Sequence, residues 1–135
     1  MMEVHVKHEG AVKFSIAARE NTIISDQPPS NGGADEGMTP PELFLASIGS
    51  CAAFYAVAYL KKKGLEREGV EVHVTSEKAM GPARLDQIKI AVDVPGTLSE
   101  EDRAGVQDSV GRCLIHNTLT HPPEIQIELR TPVTA

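Results

Sequence analysis

The segment from Pro40 to Gly64, PPELFLASIGSCAAFYAVAYLKKKG, constrains the fold of this chain more than any other. Thr39-Pro40-Pro41-Glu42 opens it with an N-cap threonine, prolines in the first turn and a glutamate three places after the cap, the pattern of a capping box. Lys61, Lys62 and Lys63 close it where the helix dipole favours positive charge, and Gly64 suits the left-handed position just beyond the end. Between those ends apolar and small residues occupy every face, so the sequence predicts a helix with protein on most sides and no solvent-facing stripe. The apolar run from Leu43 to Leu60 includes Ser47, Gly49 and Ser50 and reaches only the lower limit for spanning a bilayer. A buried helix is expected, not a membrane span.

Strands flank it. Val4, Val6, Val12, Phe14 and Ile16 alternate with polar or small residues at a period of two, and a short strand over 21–25 follows the turn at Arg19-Glu20. DQPPSNGGADEGM then collects loop-forming residues into one stretch that delivers the chain to the helix. After the helix, VEVHVTSEKA and LDQIKIAVDV both alternate as half-buried strands. Ser99-Glu100-Glu101-Asp102 opens a second helix with an N-cap and an acidic first turn; Val106, Val110 and Cys113 mark its apolar face, with Cys113 near its end. EIQIELR, begun by Pro122-Pro123, reads as a closing strand. Strands, a buried helix, then more strands and helices give an α+β domain with mostly antiparallel sheet. One sheet has a single inner face and cannot enclose a helix that is apolar all round, so an obligate homodimer is expected.

At 135 residues the chain fits one domain over 1–135, and its net charge of −6 argues against nucleic acid or anionic lipid as partner. The N-terminal MMEVHVKHEG has no apolar h-region, which points to the cytoplasm and to thiols kept reduced. A cysteine pair there more often means transient redox chemistry or a metal than a structural disulfide. Taken singly, Cys51 and Cys113 read as small core hydrophobes. Taken together they lie on apolar faces that share one small core, where contact is neither required nor forbidden by their spacing.

A reactive thiol needs its thiolate stabilised by a helix N-terminus or a nearby cation. Cys51 lies too deep in its helix for the dipole, so a cation must come from elsewhere: Arg19 is one candidate, with Arg112 and Arg84 behind it. Cys113 and His116 form a Cys-x-x-His pair with His121 close behind, but Cys51 brings no second ligand, so a zinc site is a weaker reading and no metal or cofactor is expected. The chain carries neither a Gly-rich phosphate loop nor a G-x-S-x-G elbow.

TPPELFLASIGSCAAFYAVAYL, followed about sixty residues later by CLIHNTL and a closing strand, resembles the OsmC-like family of osmotically inducible C proteins and organic hydroperoxide resistance proteins. The resemblance runs from about Glu36 to Leu129. It implies an intertwined homodimer whose sheets wrap two central helices, and thiol-dependent reduction of organic hydroperoxides with an external dithiol as reductant. Carried over, Cys51 is the peroxidatic and Cys113 the resolving cysteine. The hydroperoxide resistance branch has an arginine-orienting glutamate ten residues before the first cysteine; here that place is Pro41, and Glu42 stands nine before. Nine helical steps put Glu42 and Cys51 on opposite sides and about 13 Å apart along the axis, which leaves Glu42 to cap its helix or to serve a partner's site. The family arginine lies farther upstream than Arg19. A binding module, with both cysteines in the core and a small apolar ligand between subunits, is the alternative from another class.

Overall fold

The computed structural model describes residues 1–134. The long helix, α1, spans Pro40–Lys62, and both halves of its capping box form: Thr39 Oγ1 accepts from the Glu42 N–H, and Glu42 Oε1 accepts from the Thr39 N–H at 2.9 Å. At the other end the Leu65 N–H bonds Leu60 O at 2.8 Å and the Gly64 N–H bonds Lys61 O at 3.1 Å, with Gly64 at φ +70°. This is a Schellman end, which a residue with a Cβ would enter only under strain.

Three strands precede α1: β1 His5–Gly10, β2 Lys13–Ala18 and β3 Asn21–Ser25, an antiparallel sheet in that order. β4 Glu71–Ala79 and β5 Arg84–Asp93 follow α1 as a second antiparallel pair, and then come α2 Glu100–Val110 and α3 Leu114–Thr120. The fold is α+β, with two antiparallel sheets and a long central helix.

α1 packs on β4 and β5 on one side and on α2 on another. Ile48, Ala52, Ala56 and Leu60, spaced four apart, form its buried stripe. Ala56, Leu60 and Val106 of α2 make the core, closed by Tyr59, Leu65, Val92, Leu98 and Val110. Gly49 lets the helix sit close to β4, since a Cβ there would stand 3.0 Å from Val74 Cγ2.

Within the single chain α1 is covered along one stripe: Phe54 is 68% exposed, and Phe44 and Val57 also face outward, on the side left for the expected second subunit. Two expectations change. EIQIELR forms no strand; Ile125, Ile127 and Leu129 are 80%, 95% and 85% exposed. A strand is held by hydrogen bonds to a neighbouring edge, and this segment has no edge of its own chain beside it, so its alternation finds nothing to pair with. Finally, α2 stops at Val110, and Cys113 stands at the N-cap of a separate helix, α3. Gly111 caps α2 while still in the right-handed helical region, and the chain then turns into α3.

Candidate redox site

Cys51 lies midway along α1, one residue before the buried Ala52, and so about 100° round the helix from the covered stripe. It is half-buried. Its neighbours one turn before and one turn after, Ser47 and Phe54, are exposed, and so is Ser50. Cys113 lies underneath, 2% exposed. The two are joined as a disulfide with 6.1 Å between Cα atoms, although 62 positions separate them in sequence. That spacing falls within the range a disulfide spans without moving the backbone.

The bond is positioned by the contact between α1 and α2. Ser109 Oγ donates to Tyr55 O at 3.1 Å, four residues before Cys113 and four after Cys51. Farther along, Tyr59 Oη donates to Asp102 Oδ1 at 2.9 Å while Asp102 Oδ2 accepts from Ser99 Oγ at 3.0 Å. Burial, then the Asp102 carboxylate, push the Tyr59 phenol above its ordinary pKa. Gly105 makes this contact possible, since a Cβ there would overlap the Tyr59 ring. The two bonds between α1 and α2, from Ser109 and from Tyr59, leave no mark in the sequence pattern.

The charged candidates lie elsewhere. Arg19 sits at the tip of the β2–β3 hairpin at φ +55°, exposed and without an ion-pair partner among the described residues. The first sheet makes no substantial contact with α1, so the chain by itself does not bring Arg19 to Cys51. Arg112 pairs with Asp108 on the surface, and Arg84 pairs with Asp86 and bonds Met80 O and Pro82 O. Glu42 is taken up by Thr39, whose amide and hydroxyl both donate to it and hold its carboxyl below the usual range. His116, half-buried, is one turn into α3 from Cys113, and among the described residues no three His, Cys, Asp or Glu side chains gather as a metal set would.

Asp26 is a polar residue the sequence did not single out. It is 2% exposed and accepts the backbone N–H groups of Gln27, Ala34 and Glu36 at 2.8–3.2 Å, which lowers its pKa and fixes the loop that leads into α1. Gly33 and Gly37 crowd against the backbone of Gln27 and Ile24, so the loop is as compact as the carboxylate's bonds require. A half-open groove of about 590 Å³ between β5 and α2 is lined by Val92, Leu98, Arg103, Val106 and Val110, and neither cysteine reaches it.

Two antiparallel sheets and one long helix, with a cysteine of that helix bonded to one at a helical junction, define an α+β protein whose cysteine pair fits a redox role. The chain belongs to the OsmC-like protein family, whose sequence model matches residues 32–128. A search of curated proteins returned no match. Solved structures resemble it closely in fold. A protein of Psychrobacter arcticus 273-4, assigned to osmotic stress induction and detoxification response, is 22% identical, with a TM-score of 0.80 over 87% of this chain and 88% of that one. An OsmC like protein of Mycoplasma pneumoniae is 19% identical, with a TM-score of 0.75 over 90% and 89%. An organic hydroperoxide resistance protein OsmC of Legionella pneumophila is 15% identical, with a TM-score of 0.63 over 88% of each chain. At these identities the likeness is one of fold.

Proposed function

We propose that this protein is a thiol-dependent peroxidase that reduces organic hydroperoxides, with Cys51 as the peroxidatic and Cys113 as the resolving cysteine. The observation that carries the reading is the Cys51–Cys113 bond across 62 positions, between a half-exposed helix residue and a buried one. The Cys51 thiolate attacks the peroxide oxygen, the O–O bond breaks, and the alkoxide leaves with a proton as the alcohol. Cys51 is then a sulfenic acid, and the Cys113 thiolate displaces water from it to form the disulfide. An external dithiol returns both thiols by exchange. Phe44, Phe54 and Val57, on the uncovered side of α1, offer apolar surface to a hydrocarbon tail, at about 0.8 kcal/mol per buried CH₂.

The working unit in this proposal is a homodimer. Its support is the amount of apolar surface the single chain leaves open: the outer face of α1, the face of the first sheet that carries Val6 and Ile23, and the alternating tail 124–130. Arg19, at the tip of a sheet that rests on no helix of its own chain, is the candidate to stabilise the Cys51 thiolate from a second subunit, with Glu42 kept to its capping task. The cytoplasm is the proposed location, where the disulfide is a transient catalytic state. α1 meets the length and hydropathy of a membrane span, but one side of it is occupied by β4, β5 and α2, which suits a protein core and not lipid.

The test is to add one equivalent of cumene hydroperoxide to the reduced protein and map the products by mass spectrometry. A Cys51–Cys113 disulfide with one equivalent of alcohol is expected; sulfinic acid on Cys51 alone, with Cys113 still free, removes the resolving role from Cys113.

A further inference from the structure

We infer that the reductant enters at one sulfur only: its thiolate attacks Cys51 Sγ, and Cys113 is the leaving thiol in every turnover. The inference deepens the peroxidase reading and rests on it for its place in the cycle. Thiol–disulfide exchange can begin at either sulfur of a bond, and access is one of the factors that choose between them. Cys113 is 2% exposed, covered by α1 and by its own helical junction, whereas Cys51 keeps part of its surface open in the single chain. Association with a second subunit adds cover and never removes it, so the burial of Cys113 in the single chain is a lower limit for any assembly.

The leaving-group effect opposes this choice, because a buried thiol has a raised pKa and departs more slowly. It slows the step without redirecting it, since a sulfur the reductant cannot touch is not attacked at all. In the first exchange the reductant thiolate forms a bond to Cys51 Sγ. The Cys51–Cys113 bond breaks with its electron pair on Cys113, which takes up a proton. The second thiol of the reductant, as thiolate, then attacks the reductant sulfur held on Cys51 and expels Cys51 as thiolate. The dithiol leaves as its disulfide, two electrons poorer, and its two protons balance the two restored thiols.

Protein oxidised with diamide, so that no hydroperoxide is involved, is mixed with N-acetylcysteine, quenched with acid at short times, alkylated and digested. The expected product carries N-acetylcysteine on Cys51 and the alkyl group on Cys113. An adduct on Cys113, an even mixture, or no adduct where a small disulfide of known exposure reacts, overturns the inference. A second measurement avoids any migration of the adduct: with Ellman's reagent, native Cys113→Ser protein, whose thiol is Cys51, should react at least about tenfold faster than native Cys51→Ser protein, and the two should converge in guanidinium. Equal native rates overturn the inference too. Should the hydroperoxide assay fail while Cys51 still takes the adduct, the peroxidase reading falls and the site of attack stands.

Discussion

Tyr59 of α1 donates its hydroxyl to Asp102 of α2 across 2.9 Å, and this bond, made in the space Gly105 leaves open, locks the two helices whose junction holds Cys113 beneath Cys51. Gly105→Ala adds a Cβ about where the Tyr59 ring lies. Alanine in a helix is favoured over glycine by about 1 kcal/mol, but overpacking costs about 1–3 kcal/mol, so a net loss of stability is expected in urea unfolding. Adding Tyr59→Ala should make the double variant less unstable than the two single effects combined. Tyr59→Phe should remove a late-ionising phenol from an alkaline titration at 295 nm. The Tyr59 pKa is raised, so its contribution to stability is present below about pH 10 and is lost as pH rises through the folded-state value.

Acid acts on the loop before α1. Asp26 and Glu42 both have lowered pKa values, from backbone N–H groups that bond the ionised form. Each therefore contributes stability that is present above about pH 4 and is lost as pH falls through the lowered folded value. Asp26→Asn keeps one acceptor oxygen and loses the charge. It should be less stable than wild type at pH 7, with a shallower decline between pH 5 and pH 2, read from denaturant midpoints at each pH. Thr39→Ala, which removes the hydroxyl of the capping box, should cost about 1 kcal/mol at neutral pH.

Phe54→Asp and Ile127→Asp test the second subunit. Both residues are exposed in the single chain, so on that basis each change would alter stability by less than about 0.5 kcal/mol. In a dimer that covers α1 and the tail, each places a charge in an apolar contact. Sedimentation equilibrium should find wild type dimeric and both variants shifted toward monomer; a wild-type chain that is monomeric at micromolar concentration contradicts the dimer.

Arg19 holds a left-handed conformation that costs a residue with a Cβ about 1 kcal/mol. Arg19→Gly should thus leave stability unchanged or raise it slightly. If the guanidinium stabilises the Cys51 thiolate, the same change should slow hydroperoxide reduction by at least about tenfold and move its pH profile upward, as a less stabilised thiolate forms at higher pH. Arg19→Lys keeps the charge and should recover part of the rate. A variant with full activity and an unmoved profile takes Arg19 out of the site.

The limits of α1 were legible in the sequence because capping is local: Thr39, Glu42, Lys61 and Gly64 act within one turn of where they stand. The strands before and after α1 were legible for the same reason, since a period of two fixes which side chains share a face. The tail was misread because Ile125, Ile127 and Leu129 carry the alternation of a strand, but alternation names no partner, and the segment pairs with none of the described strands. The chain itself covers α1 along one stripe only, and an apolar face records that something covers it without saying which chain does. Residue patterns alone could not bring Cys51 to Cys113. Each has an apolar neighbourhood that suits a core thiol, and their meeting depends on the α1–α2 crossing set by Tyr59, Asp102, Gly105 and Ser109.

The proposed peroxidase cycle is tested most directly with the two cysteine variants side by side. Purified reduced protein is given cumene hydroperoxide and excess dithiothreitol, and peroxide consumption is followed for wild type, Cys51→Ser and Cys113→Ser. Wild type should make many turnovers, Cys51→Ser none above background, and Cys113→Ser should lose activity early as Cys51 passes to sulfinic acid. Consumption by Cys51→Ser at the wild-type rate would contradict the proposed cycle.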